Sequence, residues 1–224
     1  MQFRTRSVHT QNMLHQKHAR NRPSKQNGRL TGMAPLPARI DDDWADTSRD
    51  IYNRLYRKGY PPGSPQLVVD TFNYSTEFRL CDLGCGNAVL AGVFANYVGV
   101  DVSDVAINRA KIIHPQQTFI HASLDNITDK LAGFHFDLAL CCDVMEHVPT
   151  DLIPNVLGQI SQVNADRFAF GISCRESEYK DHHGNSLHLT VWNSSQWIEI
   201  IDRFVSITRI IADDTFLIVE AFAT

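Results

Sequence analysis

Arg79-Leu80-Cys81-Asp82-Leu83-Gly84-Cys85-Gly86-Asn87 is the stretch on which the reading of this chain turns. A short apolar run stops at an acid and passes into a glycine-rich turn. Residues 88–95 (Ala-Val-Leu-Ala-Gly-Val-Phe-Ala) are compatible with a helix, and residues 97–102 form a second apolar run that closes on Asp101 and Val102. Strand, turn, helix and strand in this order make the front end of a parallel α/β sheet. The glycines let backbone N–H groups face a ligand, and an acid closing the second strand can accept both hydroxyls of a ribose. Asp82 and Asp101 stand 19 residues apart, close to the roughly 20 that this role requires.

Outward from this unit the pattern continues. Ser103-Asp104 reads as a helix start for residues 105–113, with Pro115 beyond its end. A third strand is expected over 118–121, followed by Ala122-Ser123-Leu124-Asp125, and a fourth over 136–141 that runs into Cys142-Asp143-Val144-Met145-Glu146-His147-Val148-Pro149. Residues 152–163 read as a helix and 167–174 as a fifth strand. A long polar loop, 175–192, then carries Arg175, His182, His183, His188 and Trp192. Ser194-Ser195 looks like an N-cap for a helix over 196–203, and strands over 205–212 and 215–223 close the chain around an Asp213-Asp214 turn. On the other side, Trp44, Ile51, Tyr52, Leu55 and Tyr56 fall at helical spacings behind Asp41-Asp42-Asp43, an acidic start that suits a helix dipole. The run Tyr60-Pro61-Pro62-Gly63-Ser64-Pro65 ends that helix, and residues 66–72 read as a second one.

The chain has 224 residues, 43% hydrophobic and 21% charged, enough for one domain with a substantial core. No apolar run approaches the roughly 18–20 residues of a membrane span, and no secretory signal is read. Four of the five cysteines (Cys81, Cys141, Cys142, Cys174) lie in apolar or strand-like runs. They read as reduced thiols of a cytoplasmic protein rather than a disulfide framework. Residues 1–32 hold seven basic residues and no acid, which leaves 14 basic against 25 acidic residues in the remainder. The acidic body argues against broad binding of a phosphate backbone. The first 32 residues read as a disordered basic tail, with a nucleic-acid-binding arm or an organelle presequence as the alternatives. His182, His183 and His188 invite a metal reading, but their spacing closes no ligand pattern with a thiol, and no metal site is expected.

A dinucleotide turn would carry its third small residue at position 89, where Val89 stands. With Asp82-Leu83-Gly84-Cys85-Gly86-Asn87, the chain instead resembles the class I S-adenosylmethionine-dependent methyltransferases over residues 44–224. The resemblance implies an open, mostly parallel seven-stranded sheet flanked by helices, with the last strand inserted antiparallel. It implies three parts: the tail 1–32, an N-terminal helical segment 33–78 that covers the site, and a core 79–224 that binds S-adenosylmethionine and releases S-adenosylhomocysteine. Asp82, Gly84, Cys85 and Gly86 would hold the methionine end of the donor, and Asp101 with Val102 its ribose. Ser123, Leu124 and Asp125 would flank the adenine, with Ser123 standing where the family often has an acid.

Asp143-Val144-Met145-Glu146-His147-Val148 resembles the family's strand-four motif, so Cys142, Asp143 and His147 are expected beside the transferred methyl. Glu146 is a candidate for orienting that turn. His147, His183 and His188 are candidate general bases, and Trp44, Tyr56, His147, Arg175, His188 and Trp192 candidate acceptor contacts. No Asn/Asp-Pro-Pro-Tyr/Phe motif follows the fourth strand, which favours a small-molecule or carbohydrate acceptor over a nucleic acid. The alternatives are a nucleic-acid or protein methyltransferase guided by the basic tail, and a donor-binding subunit without chemistry of its own.

Overall fold

The computed structural model describes residues 43–223; the tail 1–32, the remainder of 33–42 and the first two acids of the Asp41–Asp43 run lie outside the described residues. Helix α1 (Asp43–Arg57) is followed by the proline-rich segment and by α2 (Pro65–Phe72), whose first-turn proline is pre-set for a helix. Asn73, left-handed at φ 54°, closes α2. Strand β1 (Arg79–Leu83), β2 (Asn96–Asp101), α3 (Asp104–Ile113), β3 (Thr118–His121), the single turn α4 (Ile127–Lys130) and β4 (Leu138–Cys142) come next. They lead to α5 (Ile153–Ser161), β5 (Arg167–Ser173), α6 (Ser194–Ile201), β6 (Ser206–Ala212) and β7 (Phe216–Phe222).

The seven strands form one sheet in the order β3-β2-β1-β4-β5-β7-β6. Strands β1 to β5 are parallel, and β7 lies antiparallel between β5 and β6. Alternation along each strand divides the core. Cys81 and Leu83 of β1 pack with α4, α5 and α6, whereas Leu80 packs with α2 and α3. Strand order reverses at β1, between β2 and β4, so the crevice of this sheet opens at the C-terminal ends of β1, β2 and β4. Among the described residues no helix is long and apolar enough to cross a membrane.

Two expectations are corrected. The segment 88–95 is not an α-helix: it holds one 3₁₀ turn, Val89–Gly92, and extended chain. Length explains this. The turn consumes the chain through Ala88, which is itself left-handed at φ 52°, and β2 must be approached from its far end. Seven α-helical residues advance only about 10 Å, whereas six strand residues span roughly 20 Å. A more extended path is required. Gln117 staples it: its side-chain amide donates to the carbonyls of Ala91 (3.1 Å) and Phe94 (3.0 Å) and accepts from Tyr97 N–H (3.1 Å). The second correction is the cap of α6. Asn193, not Ser194 or Ser195, accepts from Gln196 N–H, and the Gln196 side chain accepts in return from Asn193 N–H. The capping box starts the helix two residues before the expected 196.

Candidate active site

The crevice is built by a turn and three acid-bearing strand ends. The N–H groups of Gly84 and Cys85 both donate to the Val100 carbonyl (2.8 and 2.9 Å), which ties the turn to β2. Gly84 adopts φ +81°, and a side chain there would run into Val144 of the turn after β4. Only glycine fits that crossing. Gly86 N–H donates to Asp101 Oδ2 (2.8 Å) and Ser103 N–H to Asp101 Oδ1 (2.8 Å). Asp101 is buried, and burial raises its carboxyl above the ordinary range against the pull of those two N–H groups. Asp82 lies under the turn and accepts from the Tyr97 hydroxyl (2.7 Å); burial pushes it up to about 7.

Helix α1 is seated over this crevice by α3. Ser103 caps α3 by accepting from Ala106 N–H (3.1 Å), and its hydroxyl donates to Asn53 Oδ1 (2.7 Å). Asn53 Nδ2 donates in turn to Asp104 (2.6 Å), and Arg109 donates to the Tyr56 carbonyl. The α1 residues Trp44, Ser48, Tyr52 and Tyr56 thereby line the cavity. Segment 60–65 crosses above it. Asn87 donates to the Tyr60 carbonyl (3.1 Å) and Ser64 N–H to Asp143 Oδ2 (2.6 Å). A side chain on Gly63 would strike that same carboxylate. Tyr60 meets Tyr179 edge-on with ring centroids 5.4 Å apart, so the proline-rich segment and the loop after β5 join over the cleft.

At the β4 end, Met145–His147 form a 3₁₀ turn. Glu146 is fully buried, and its Oε1 accepts Ser173 N–H (3.1 Å) while its carbonyl accepts from Leu189 and Thr190 N–H (2.8 and 3.0 Å). Burial, helped by nearby Asp143, pushes its carboxyl up to about 8. His147 Nδ1 pairs with the Leu187 carbonyl (2.8 Å), and burial pushes the imidazole down to about 4, which keeps it neutral. Its ring packs edge-on to His188 (centroids 4.8 Å) and Tyr52 (5.7 Å).

Most sequence-predicted site residues converge on this one cavity: Asp82, Gly84, Cys85, Gly86, Asp101, Val102, Ser123, Leu124, Cys142 and Asp143, with Trp44, Tyr56, His147, Arg175 and His188. Three do not. His183 lies tilted against His182 (centroids 3.8 Å) on an exposed turn held by Asp181, outside the cavity wall. Trp192 packs on Trp197 (4.8 Å) against the core rather than facing the cleft. Asp125 also lies outside the wall, in which Ser123 stands. Sequence reasoning missed Tyr52, Tyr60, Ser64, Ser173 and Tyr179. The resemblance implied a cover from 33–78 as a whole, whereas the Tyr-Pro-Pro-Gly-Ser-Pro run by itself signalled only a chain break and did not single out these residues.

The wall suits a cationic ligand. Asp82, Asp101, Asp143, Glu146, Glu176 and Glu178 line it against Arg175 as its one lysine or arginine, and Arg175 is paired with Glu178 (3.1 Å). The Ser123 hydroxyl is buried without a hydrogen-bond partner among the described residues, an open hydrogen-bonding position in the wall. A seven-stranded sheet of this order, with a glycine turn and an acid at the C-terminal ends of β1, β2 and β4, defines a class I S-adenosylmethionine-dependent methyltransferase.

Sequence comparison agrees: the profile of the methyltransferase domain family matches residues 18–201, and the chain belongs to that family. A curated relative, a ubiquinone biosynthesis O-methyltransferase of Paraburkholderia phymatum, is 30% identical over 89 residues, which is 36% of this chain and 38% of the relative. Two solved structures share the fold. Magnesium protoporphyrin IX methyltransferase of Synechocystis PCC 6803, with bound S-adenosylhomocysteine, has a TM-score of 0.60 at 18% identity, over 81% of this chain and all of that one. The 1,6-didemethyltoxoflavin-N1-methyltransferase of Burkholderia thailandensis has 0.62 at 16% identity, over 85% of this chain and 93% of that one.

Proposed function

We propose that this chain transfers the methyl group of S-adenosylmethionine to a small-molecule acceptor held beneath segment 60–65 and the loop after β5. The observation that carries the acceptor class is the roof. Tyr60 against Tyr179 and Ser64 N–H on Asp143 close the cleft from above, which suits a compact acceptor better than a polymer. The acidic body supports the same reading. The names of the relatives, which speak of ubiquinone biosynthesis, magnesium protoporphyrin IX and 1,6-didemethyltoxoflavin, point the same way. In this reading the described part of the 33–78 segment, residues 43–78, covers the site, and the described part of 79–224 forms the donor-binding core.

The bound donor supplies a methyl group on a sulfonium and leaves as a thioether. Asp82 and the turn Gly84–Gly86 hold its amino-acid end, and Asp101 has acceptor positions left for its ribose hydroxyls after serving Gly86 and Ser103. Ser123 and Leu124 flank the adenine. Asp143, fixed by Ser64, and the aromatic wall of Tyr52, Tyr56 and Tyr60 align the acceptor and exclude water, the main tasks in an in-line displacement. Where the acceptor is a hydroxyl or amine, neutral His147 or His188 receives its proton. Removal of residues 1–32 tests the acceptor class. Labelling of low-mass acceptors is expected to be unchanged. Loss of all transfer on deletion would instead favour a nucleic-acid or protein acceptor guided by the tail.

A further inference from the structure

We propose that Glu146, His147 and His188 form a binding site for one first-row divalent transition-metal ion at the β4–β5 side of the cleft. The three come from two distant places in the chain, the turn after β4 and the loop after β5. Their ligand-capable atoms nevertheless lie within 4.8 Å of one another. Ligands at bonds of about 2.0–2.2 Å stand roughly 3–3.5 Å apart, so a bound ion draws the three together by about 1–2 Å.

Each ligand is prepared independently. Glu146 Oε1 is engaged by Ser173 N–H, while Oε2 is buried and makes no hydrogen bond of good geometry among the described residues, with the N–H groups of Val144 and Glu146 pulling on the carboxyl from nearby. A buried carboxylate oxygen in that state calls for a cation or a proton donor. The Nδ1 atoms of His147 and His188 pair with the backbone carbonyls of Leu187 (2.8 Å) and Arg175 (2.6 Å). A carbonyl can only accept, so each Nδ1 carries the proton and each Nε2 keeps a free lone pair. A carbonyl behind the imidazole is the usual outer partner of a ligating histidine. Two imidazoles and one carboxylate favour zinc, cobalt, manganese or iron over magnesium or calcium, and they leave coordination positions open.

The use of such an ion rests on the function proposed above, although its binding does not. With both Nε2 atoms engaged by the ion, neither histidine serves as the base, and an acceptor hydroxyl held on the ion gives up its proton to solvent. The freed oxygen pair forms the bond to the methyl carbon, and the carbon–sulfur bond breaks with its pair kept on sulfur. The acceptor class is thereby narrowed to oxygen acceptors.

The test uses tag-free full-length protein, stripped with EDTA and titrated with CoCl2 by calorimetry and visible absorption. About one equivalent of Co2+ is expected to bind in a saturable step, displaceable by ZnCl2. His188→Ala and Glu146→Gln are each expected to weaken that step at least about tenfold, with S-adenosylmethionine affinity retained as proof of folding. His182→Ala combined with His183→Ala is expected to leave it unchanged. Absence of a saturable step, its survival in His188→Ala, or its loss in the His182/His183 double variant would each overturn the site. Metal binding without methyl transfer to any low-mass acceptor would count against the proposed function alone. EDTA-insensitive transfer without metal binding would count against the metal site alone.

Discussion

Replacing Asp101 by alanine removes a buried carboxylate with two separate tasks. It accepts the N–H groups of Gly86 and Ser103, each at 2.8 Å. Both donors lose their partner in the variant, at about 1–3 kcal/mol each. Gly86 and Ser103 are both buried, so the expected loss of folding stability is the sum, about 2–6 kcal/mol. The second task is donor binding. An ionised carboxylate offers about four acceptor positions, two of which the backbone uses, so two remain for the ribose hydroxyls. Hydrogen bonds to a charged group contribute about 1.5–3 kcal/mol each, and losing the pair is expected to weaken S-adenosylmethionine about 100-fold or more. Asp101→Asn keeps one carbonyl oxygen but turns an NH2 group toward a backbone N–H, and it is expected to cost at least about tenfold. Calorimetric titration with S-adenosylmethionine and S-adenosylhomocysteine reads the affinity, and thermal melting reads the fold. A folded Asp101→Ala variant that binds both within about threefold of the parent would refute the ribose assignment and leave Asp101 as a staple of the turn.

Three further outcomes are expected. Asp82 titrates near 7 because of burial, opposed by the Tyr97 hydroxyl; the donor's cationic end needs the carboxylate, so donor affinity is expected to rise with pH up to about 7 and to fall again where the donor's α-amino group loses its proton. Tyr97→Phe is expected to move the rising limb to higher pH, and a flat profile below 7 measured by calorimetry would exclude Asp82 from the donor site. Gly84→Ala puts a side chain at φ +81° against Val144 and is expected to cost roughly 2–4 kcal/mol in urea unfolding. Val144→Ala in the same chain should recover part of that loss, and no recovery would contradict the contact. Gln117→Ala removes the staple of the short crossover and is expected to cost about 1.5–3 kcal/mol, with faster hydrogen exchange at the Tyr97 amide; unchanged exchange there would show that the crossover holds itself.

The sheet was legible because each parallel strand is a short apolar run closed by a polar signal, as in Arg79–Leu83 and Thr118–His121. The turn at Gly84–Gly86 and the run Asp143–His147 were legible for a related reason: they stand where strands deliver residues to the crevice. The failures have a common cause in geometry that a local pattern does not carry. Residues 88–95 have helical composition, yet the distance back to the start of β2 forbids the helix. Trp192 and His183 sit in the same loop as His188, and only the path of that loop, tied by Leu189 and Thr190 N–H to the Glu146 carbonyl, decides which of the three faces the cleft. Glu146 read as a turn-orienting residue; that its second oxygen is buried and makes no hydrogen bond of good geometry among the described residues follows from packing across β5.

The most direct test of the account follows methyl-labelled S-adenosylmethionine with the full-length protein and a cell extract, separated into low-mass, polysaccharide, nucleic-acid and protein fractions. The account predicts label in the low-mass fraction, abolished in Asp101→Ala. Label confined to nucleic acid or protein, or equal labelling by the parent and Asp101→Ala, would contradict it.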